Sequence, residues 1–407
     1  MEGTRKRIRV ETIFSALVVS LVIILLCLPF VQMSLRIFPD LKSQENRTLA
    51  AKPHLMPLTL ASFWTYIQDY QKYFNDNFGF RNLLIRVNSV VNLEIFGVSP
   101  TPLPDIVVGK DGWLFYNVPN DGSSLEDYYG LAGFAPNQVS ALQQNMKRLR
   151  REAESRNILL ILVIAPSKHT IYEEYLPSRM AMMKGTSSRV DQLDSAWGKD
   201  DAHTSFVDTR RLMATAKNEM AYPLYYKTDT HWNNLGAFLA YSAVMKAVKA
   251  RDHGVKVLTL ADFQLSAARI PGRDLAGMVN MADLMTDTEV TLKPLKASAA
   301  KRSHAPYAYT TAVRSEVLDC KGLSLVAFGD SFLHFMIPYL SESFCKATFL
   351  GSPLTIDFPI IDRERPDVVM VELAERYAGS LKIVWPDTSP QHKERAQRWI
   401  FPQPSGG

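Results

Sequence analysis

Cysteine is scarce in this sequence, three residues in 407, which excludes a fold stapled together by disulfides. Charge of one sign is scarce too. The 46 Lys and Arg exceed the 41 Asp and Glu by five, and a nucleic-acid surface needs basic residues clustered on one face, so nucleic acid is not an expected partner. No internal repeat is present. His203, His253, His304 and His334 are scattered, without further ligands at short spacing, so no metal and no other cofactor is expected. What is abundant is apolar content. At 47% hydrophobic and 21% charged residues the chain can bury a real core, which excludes wholesale disorder. The length suits two or three ordinary domains, or one large α/β domain with insertions.

Charge is also missing locally. From Thr12 to Leu35 there is no charged residue, and Ile13–Met33 is mostly Leu, Ile, Val and Phe. A helix rising about 1.5 Å per residue crosses the hydrocarbon core in roughly 20 residues, so this run is long enough. A cleaved signal peptide has a shorter apolar stretch and a small-residue cleavage site. Gln32-Met33-Ser34-Leu35-Arg36 is a poor one, and an uncleaved signal anchor over 12–35 is the preferred reading. Arg5, Lys6, Arg7 and Arg9 precede it, which keeps residues 1–11 cytoplasmic and sends the remainder outside.

Residues 36–105 read as an irregular and helical lead-in, with aromatic residues at helical spacing from about Leu60 to Phe78. Val107–Tyr116 reads as a hairpin turned at Asp111-Gly112. A helix is expected over Asn137–Asn157, and then Ile158–Ala165 is a continuous Ile/Leu/Val run closed by Pro166, as in strands buried on both faces. Ser205–Val207, Leu323–Phe328, Ala347–Leu350 and Val368–Val371 are shorter runs of the same kind, with helical patterns at Leu235–Lys249 and Phe332–Ser343. Alternation of this kind predicts an open, mostly parallel α/β sheet over 106–385. Residues of about 265–318 read as an irregular insertion, and 386–407, rich in Pro, Gln and Ser, as a loosely ordered tail.

Two short segments carry chemistry. Gly329-Asp330-Ser331-Phe332 lies where a strand ends and a helix begins, the edge at which open parallel sheets bind ligands. Ser331 there has an exposed hydroxyl and a backbone N–H able to hold an oxyanion. The competing reading is that Asp330 or Ser331 only caps the helix. The second segment is Thr228-Asp229-Thr230-His231-Trp232-Asn233. A serine nucleophile needs a base, and an imidazole needs a carboxylate to fix its tautomer. Asp229 and His231, two apart, point to one side of an extended chain. A metal pair and an Asx turn compete with that reading. Cys320 and Cys345, 25 residues apart, flank the strand–turn–helix unit; a disulfide and two unrelated thiols are both open.

Taken with Glu45-Asn46-Arg47, Tyr73–Arg81, Gly109–Tyr116, Ala165-Pro166-Ser167-Lys168 with Tyr172 and Pro177, and Glu372-Leu373-Ala374-Glu375-Arg376, these segments make most of residues 38–376 resemble a known family. It is the periplasmic alginate O-acetyltransferase family of AlgJ type, whose catalytic domain is SGNH-hydrolase-like. The resemblance implies an SGNH-like sheet with helices on both faces behind one transmembrane helix. It implies Asp229, His231 and Ser331 as a triad, in a chain order that differs from ordinary SGNH esterases. It also implies a single-pass inner-membrane protein with a periplasmic catalytic domain. A membrane-bound O-acyltransferase partner would supply acetyl groups, and an exported polysaccharide would accept them. Some members add a carbohydrate-binding module, and the 31 residues after Arg376 are too few for one.

Lys168 and Tyr172 follow the strand ending at Ala165 and are expected at the same sheet edge, as possible site-lining residues weighed against a surface lysine and a packing ring. Arg376 is expected to bind a carboxylate or to pair with Glu372 or Glu375, the pairing being preferred. Trp232 is expected to stack on a sugar or to anchor its helix. The resulting expectation is a polysaccharide O-acetyltransferase working through an acetyl-Ser331. The rivals are an acetylesterase with the same triad and a non-catalytic scaffold of an export complex.

Overall fold

The computed structural model of the chain describes residues 2–39, 41, 48–54, 60–100, 106–117, 124–307, 310–351 and 356–383. Glu45-Asn46-Arg47 and the tail 386–407 lie outside the described residues. The chain forms two compact units, one of residues 1–100 with 277–282, the other of 101–276 with 283–407.

In the smaller unit, α1 (Glu2–Leu35) contains a 23-residue stretch, Ile13–Leu35, long and apolar enough to cross a membrane. Then come α2 (Leu60–Asn77) and α3 (Arg81–Val90). Only the end of the expected aromatic stripe packs: Phe74 and Phe78 lie 5.7 and 6.4 Å from the Phe30 ring, while Phe63 and Tyr70 are exposed. Gly79 runs against the Pro29 carbonyl so closely that a Cβ there would overlap it.

The larger unit opens with the hairpin β1 (Ile106–Val108) and β2 (Leu114–Tyr116). Asp111 and Gly112 both take positive φ in its turn, as the Asp-Gly pair requires. There follow α4 (Pro136–Ser155), β3 (Leu159–Ala165), β4 (Thr204–Asp208) and α5 (Asn234–Arg251). Next are β5 (Phe263–Pro271), β6 (Thr286–Pro294), β7 (Ala300–Tyr307) and β8 (Thr310–Val317). The unit closes with β9 (Ser324–Gly329), α6 (Ser331–Ser343), β10 (Lys346–Gly351) and β11 (Val368–Ala374).

Seven strands make the main sheet, in the order β4-β3-β11-β9-β10-β8-β7. The first five are parallel, and β8 and β7 extend them antiparallel. The parallel strands are the apolar runs. β3 and β11 are buried along their whole length, which only a sheet covered on both faces allows. Met146 and Leu149 of α4 pack with Trp197 on the face that carries Leu160, Leu162 and Val371. α5 and α6 pack against each other and against the sheet.

Residues 265–318 are not irregular. They form two hairpins, β5–β6 standing apart from the sheet and β7–β8 completing its edge. Their strands lack the apolar signature because they stay largely uncovered: seven of the nine β5 residues are exposed. Cys320 and Cys345 are joined in a disulfide, which ties the turn before β9 to the start of β10.

Candidate active site

At the end of β9 the chain turns directly into α6, and the two readings of Asp330 and Ser331 prove compatible. Asp330 caps the helix, accepting the Phe332 N–H at 2.9 Å. Its other oxygen accepts the Ala374 N–H at 2.8 Å and fixes the turn to β11. Ser331 is thereby the first helical residue, half-buried, with its hydroxyl at the carboxyl edge of the parallel strands. Glu372, fully buried on β11, accepts the N–H groups of Asp330 and Leu333, each at 3.1 Å. Gly329 leaves the room for this, since a Cβ there would lie 2.9 Å from Glu372 Oε2 and 2.6 Å from Leu333. Burial, and then the adjacent Asp330 charge, push the Glu372 carboxyl well above the ordinary range.

The second segment arrives from the start of α5. Asn233 caps that helix by accepting the Leu235 and Gly236 N–H groups, and Asp229 and His231 stand just before it. His231 Nδ1 lies 2.7 Å from Asp229 Oδ1, and His231 Nε2 lies 2.6 Å from Ser331 Oγ, 100 residues along the chain. Asp229 Oδ1 also accepts the His231 backbone N–H at 3.0 Å. Phe332 and Phe335 flank the imidazole, with ring centroids at 4.9 and 5.7 Å. Asp229 is buried, while His231 retains some exposure.

A second ring of groups holds this segment, and nothing in the sequence pointed to it. Arg273, just after β5, donates from Nε to Asp229 Oδ2 at 2.7 Å and from Nη1 to Glu289 at 3.2 Å. Its guanidinium lies 4.1 Å from the centre of the Tyr226 ring. Asp287 on β6 accepts the Lys227 and Thr228 N–H groups at 3.0 and 2.7 Å. Asp274 accepts the N–H and the hydroxyl of Thr230, each at 3.1 Å.

Charges respond accordingly. Burial alone would raise Asp229, but the hydrogen bonds and charges of His231 and Arg273 outweigh it and hold the carboxyl well below its usual range. Among the described residues no cation hydrogen-bonds Asp274; burial, then the Asp229 charge, outweigh the opposing His231 charge and push it up to about 6. Asp229, His231 and Asp274 bring potential ligand atoms within 4.8 Å of one another. The donor set is nevertheless committed: both imidazole nitrogens and both Asp229 oxygens already have protein partners.

A family model described as SGNH hydrolase-like domain, acetyltransferase AlgX, matches residues 106–332, more than half of the chain. The chain belongs to this AlgX acetyltransferase family. Two curated relatives are each named Probable alginate O-acetylase AlgJ. That of Pseudomonas aeruginosa is 28% identical over 141 residues, 33% of this chain and 30% of that protein. That of Pseudomonas putida is 26% identical over 186 residues, 45% of this chain and 43% of that protein. The chain thus spans less than half the length of these relatives. The solved structure of Bacillus cereus PatB1 with a sulfonyl adduct shares the fold at 17% identity, with a TM-score of 0.52 over 69% of this chain and 97% of that one.

The four binding residues expected in this AlgX-family domain behave differently. Trp232 is fully buried and donates from Nε1 to the Phe332 carbonyl at 3.1 Å, so it anchors the helix start and offers no face to a sugar. Tyr172 is buried too; its hydroxyl accepts the Leu224 N–H and its ring stacks 4.6 Å from Trp113. Lys168 is not a surface lysine. Its buried ammonium donates to the carbonyls of Tyr226, Lys227 and Asp229 at 3.0, 2.9 and 2.6 Å. Desolvation, partly offset by Asp229, Asp274 and Asp287, lowers it to about 8.

Arg376 departs from the expected ion pair. Among the described residues it pairs with neither Glu372 nor Glu375, whose bonded oxygens serve other groups. Glu372 serves the turn before α6, and Glu375 accepts from Ser167 N–H and Thr170 Oγ1, each at 2.7 Å. The Arg376 guanidinium instead lies among the Tyr116, Phe332 and Tyr377 rings at 5.5, 5.6 and 4.8 Å. There it borders a small cavity with Tyr116, Ser167, Lys168, His169 and Thr230.

Proposed function

We propose that this protein is a membrane-anchored polysaccharide O-acetyltransferase that works through an acetyl-Ser331 intermediate. The observation that carries the reading is the continuous chain Asp229–His231–Ser331, with contacts of 2.7 and 2.6 Å, at the carboxyl edge of the sheet. His231 takes the Ser331 proton as Oγ bonds to the acetyl carbonyl carbon, and Asp229 fixes the tautomer and balances the imidazolium. The N–H of Ser331, at the positive end of α6, faces the developing oxyanion. The leaving group departs with the proton from His231. A sugar hydroxyl, deprotonated by the same imidazole, then attacks the acetyl-enzyme and regenerates Ser331.

The names of the relatives support alginate as acceptor. The apolar stretch Ile13–Leu35 supports an inner-membrane anchor, with the 106–385 domain outside. A membrane-bound O-acyltransferase that passes acetyl groups outward completes the reading.

The test exposes the detergent-solubilised protein briefly to an activated acetyl ester and measures intact mass, beside Ser331→Ala. One added acetyl on the parent and none on the variant is the expected result, with ester turnover falling by on the order of 10⁴-fold or more. Alginate oligosaccharides should then remove the acetyl faster than water does. If water alone discharges it, the protein is an acetylesterase.

A further inference from the structure

The hairpin β5–β6 delivers one cation and three carboxylates to the far side of the Asp229 segment, and they are not placed symmetrically. Asp229 and Asp274 are neighbours, close enough that the charge of one raises the other. Two adjacent carboxylates, Asp229 buried and Asp274 partly exposed, do not both ionise readily; left alone, such a pair holds one proton between them. If that proton rested on Asp229, the carboxyl would lose its ionic hold on His231 Nδ1–H, and the imidazolium formed during acyl transfer would lose its counter-charge.

We propose, on the reading of Ser331 as an acetyl carrier, that Arg273 is a positioning residue that keeps Asp229, rather than Asp274, the ionised acceptor of His231. Its Nε sits 2.7 Å from Asp229 Oδ2, and it is held there at two further points, by Glu289 at 3.2 Å and by the Tyr226 ring at 4.1 Å. The Arg273 backbone N–H is bound as well, donating to Thr228 Oγ1 at 3.0 Å. No cation donates a hydrogen bond to Asp274 among the described residues; its partners are the neutral donors of Thr230, the Leu275 N–H and the Asp229 carboxyl, and His231 acts on it only through its charge. The other charged or titratable groups facing the pair are His231, Asp287 on β6, Tyr226, and the Lys168 ammonium, which bonds the Asp229 backbone carbonyl and not its side chain. Arg273 is thus the group that breaks the near-symmetry, and the planar fork of an arginine bridges Asp229 and Glu289 where a lysine point charge would not.

The experiment follows Ser331 acylation by an activated acetyl ester against pH, in the full-length protein, for the parent, Arg273→Ala, Arg273→Lys and Arg273→Ala/Asp274→Asn. Arg273→Ala should acylate about 10²-fold slower near pH 6, with the deficit shrinking as pH rises and both carboxylates ionise. Its acid limb therefore moves upward. Arg273→Lys should fall between. In the double variant, which has no second carboxyl to trade a proton with, the upward move of the limb should vanish. Added methylguanidinium should recover part of the Arg273→Ala loss, which it cannot do for a misfolded protein. Parent-like rates for Arg273→Ala overturn the proposal. So does a pH-independent loss that methylguanidinium leaves untouched, which is the mark of a merely structural residue. Absence of an acetyl adduct on the parent overturns the enzyme reading itself, and the role of Arg273 falls with it.

Discussion

Lys168 is a lysine whose three ammonium protons are each spent on a backbone carbonyl, those of Tyr226, Lys227 and Asp229. It binds carbonyls of the same loop whose N–H groups Asp287 and Asp274 accept. Hydrogen bonds to charged donors contribute about 1.5–3 kcal/mol each, but the ammonium also loses its hydration, so the net is smaller than their sum. Lys168→Met should cost about 2–4 kcal/mol, read from the denaturant midpoint, because three buried carbonyls lose their donor together. The pH dependence has a definite sign. The folded state holds this amine at about 8 against an ordinary 10.5, so the folded chain binds fewer protons than the unfolded one between those values. This residue's contribution to stability therefore rises with pH through that window, and the rise should be missing in Lys168→Met.

The candidate site displays some of its residues in the sequence and hides others. Asp229 and His231 could be paired on paper because they are two apart in an extended segment, a local relation that the backbone alone dictates. Ser331 could be placed by its strand-to-helix turn. Arg273, Asp274 and Asp287 lie 44 to 60 residues from the groups they hold, and no spacing rule connects them. Arg376 departs from its expected pairing for the opposite reason. Its nearest acids in sequence, Glu372 and Glu375, look like natural partners, but one oxygen of Glu372 serves two N–H groups and one of Glu375 serves the Ser167 N–H and the Thr170 hydroxyl.

Among the elements, legibility follows burial. β3, β9, β10 and β11 announce themselves as apolar runs because both faces of the sheet are covered, while β5 to β8 carry no such run because they form an edge and a free hairpin. The turn from β9 to α6 depends on one buried carboxyl from β11. Glu372 is driven toward its neutral form by burial and by Asp330, so the groups it serves need an acceptor more than a charge. Glu372→Gln, whose amide oxygen can take the same two N–H groups, should stay within about 1 kcal/mol of the parent. Glu372→Ala leaves two buried donors unpaired and a void beneath Gly329; it should lose about 2–4 kcal/mol and slow Ser331 acylation. Thermal unfolding and adduct formation, measured side by side, separate the two variants. If they behave alike, the carboxyl is filling space and not fixing the turn.

At the scale of the whole molecule, the chain joins an SGNH-like domain to an apolar helix, and on the proposed function that helix bears on which acyl donor the protein can meet. An acetyl-enzyme has value to a sugar acceptor only if the donor reaches Ser331 more often than water removes the acetyl group. Confinement near a membrane partner raises the effective concentration of that encounter without any new contact at the site. The stretch Ile13–Leu35 is long enough to span the bilayer, and four basic residues precede it, a charge order that favours the cytoplasmic side for that end. The full-length protein should therefore stay in the membrane fraction through alkaline carbonate washing, and protease added to spheroplasts should digest the region after residue 35. Replacing residues 1–35 with a cleavable secretion signal should leave acylation of Ser331 by a small activated ester unchanged, while polysaccharide acetylation in the cell falls. That split would assign the helix to donor delivery. Retention of full cellular acetylation by the released form would mean that the donor reaches Ser331 by free diffusion.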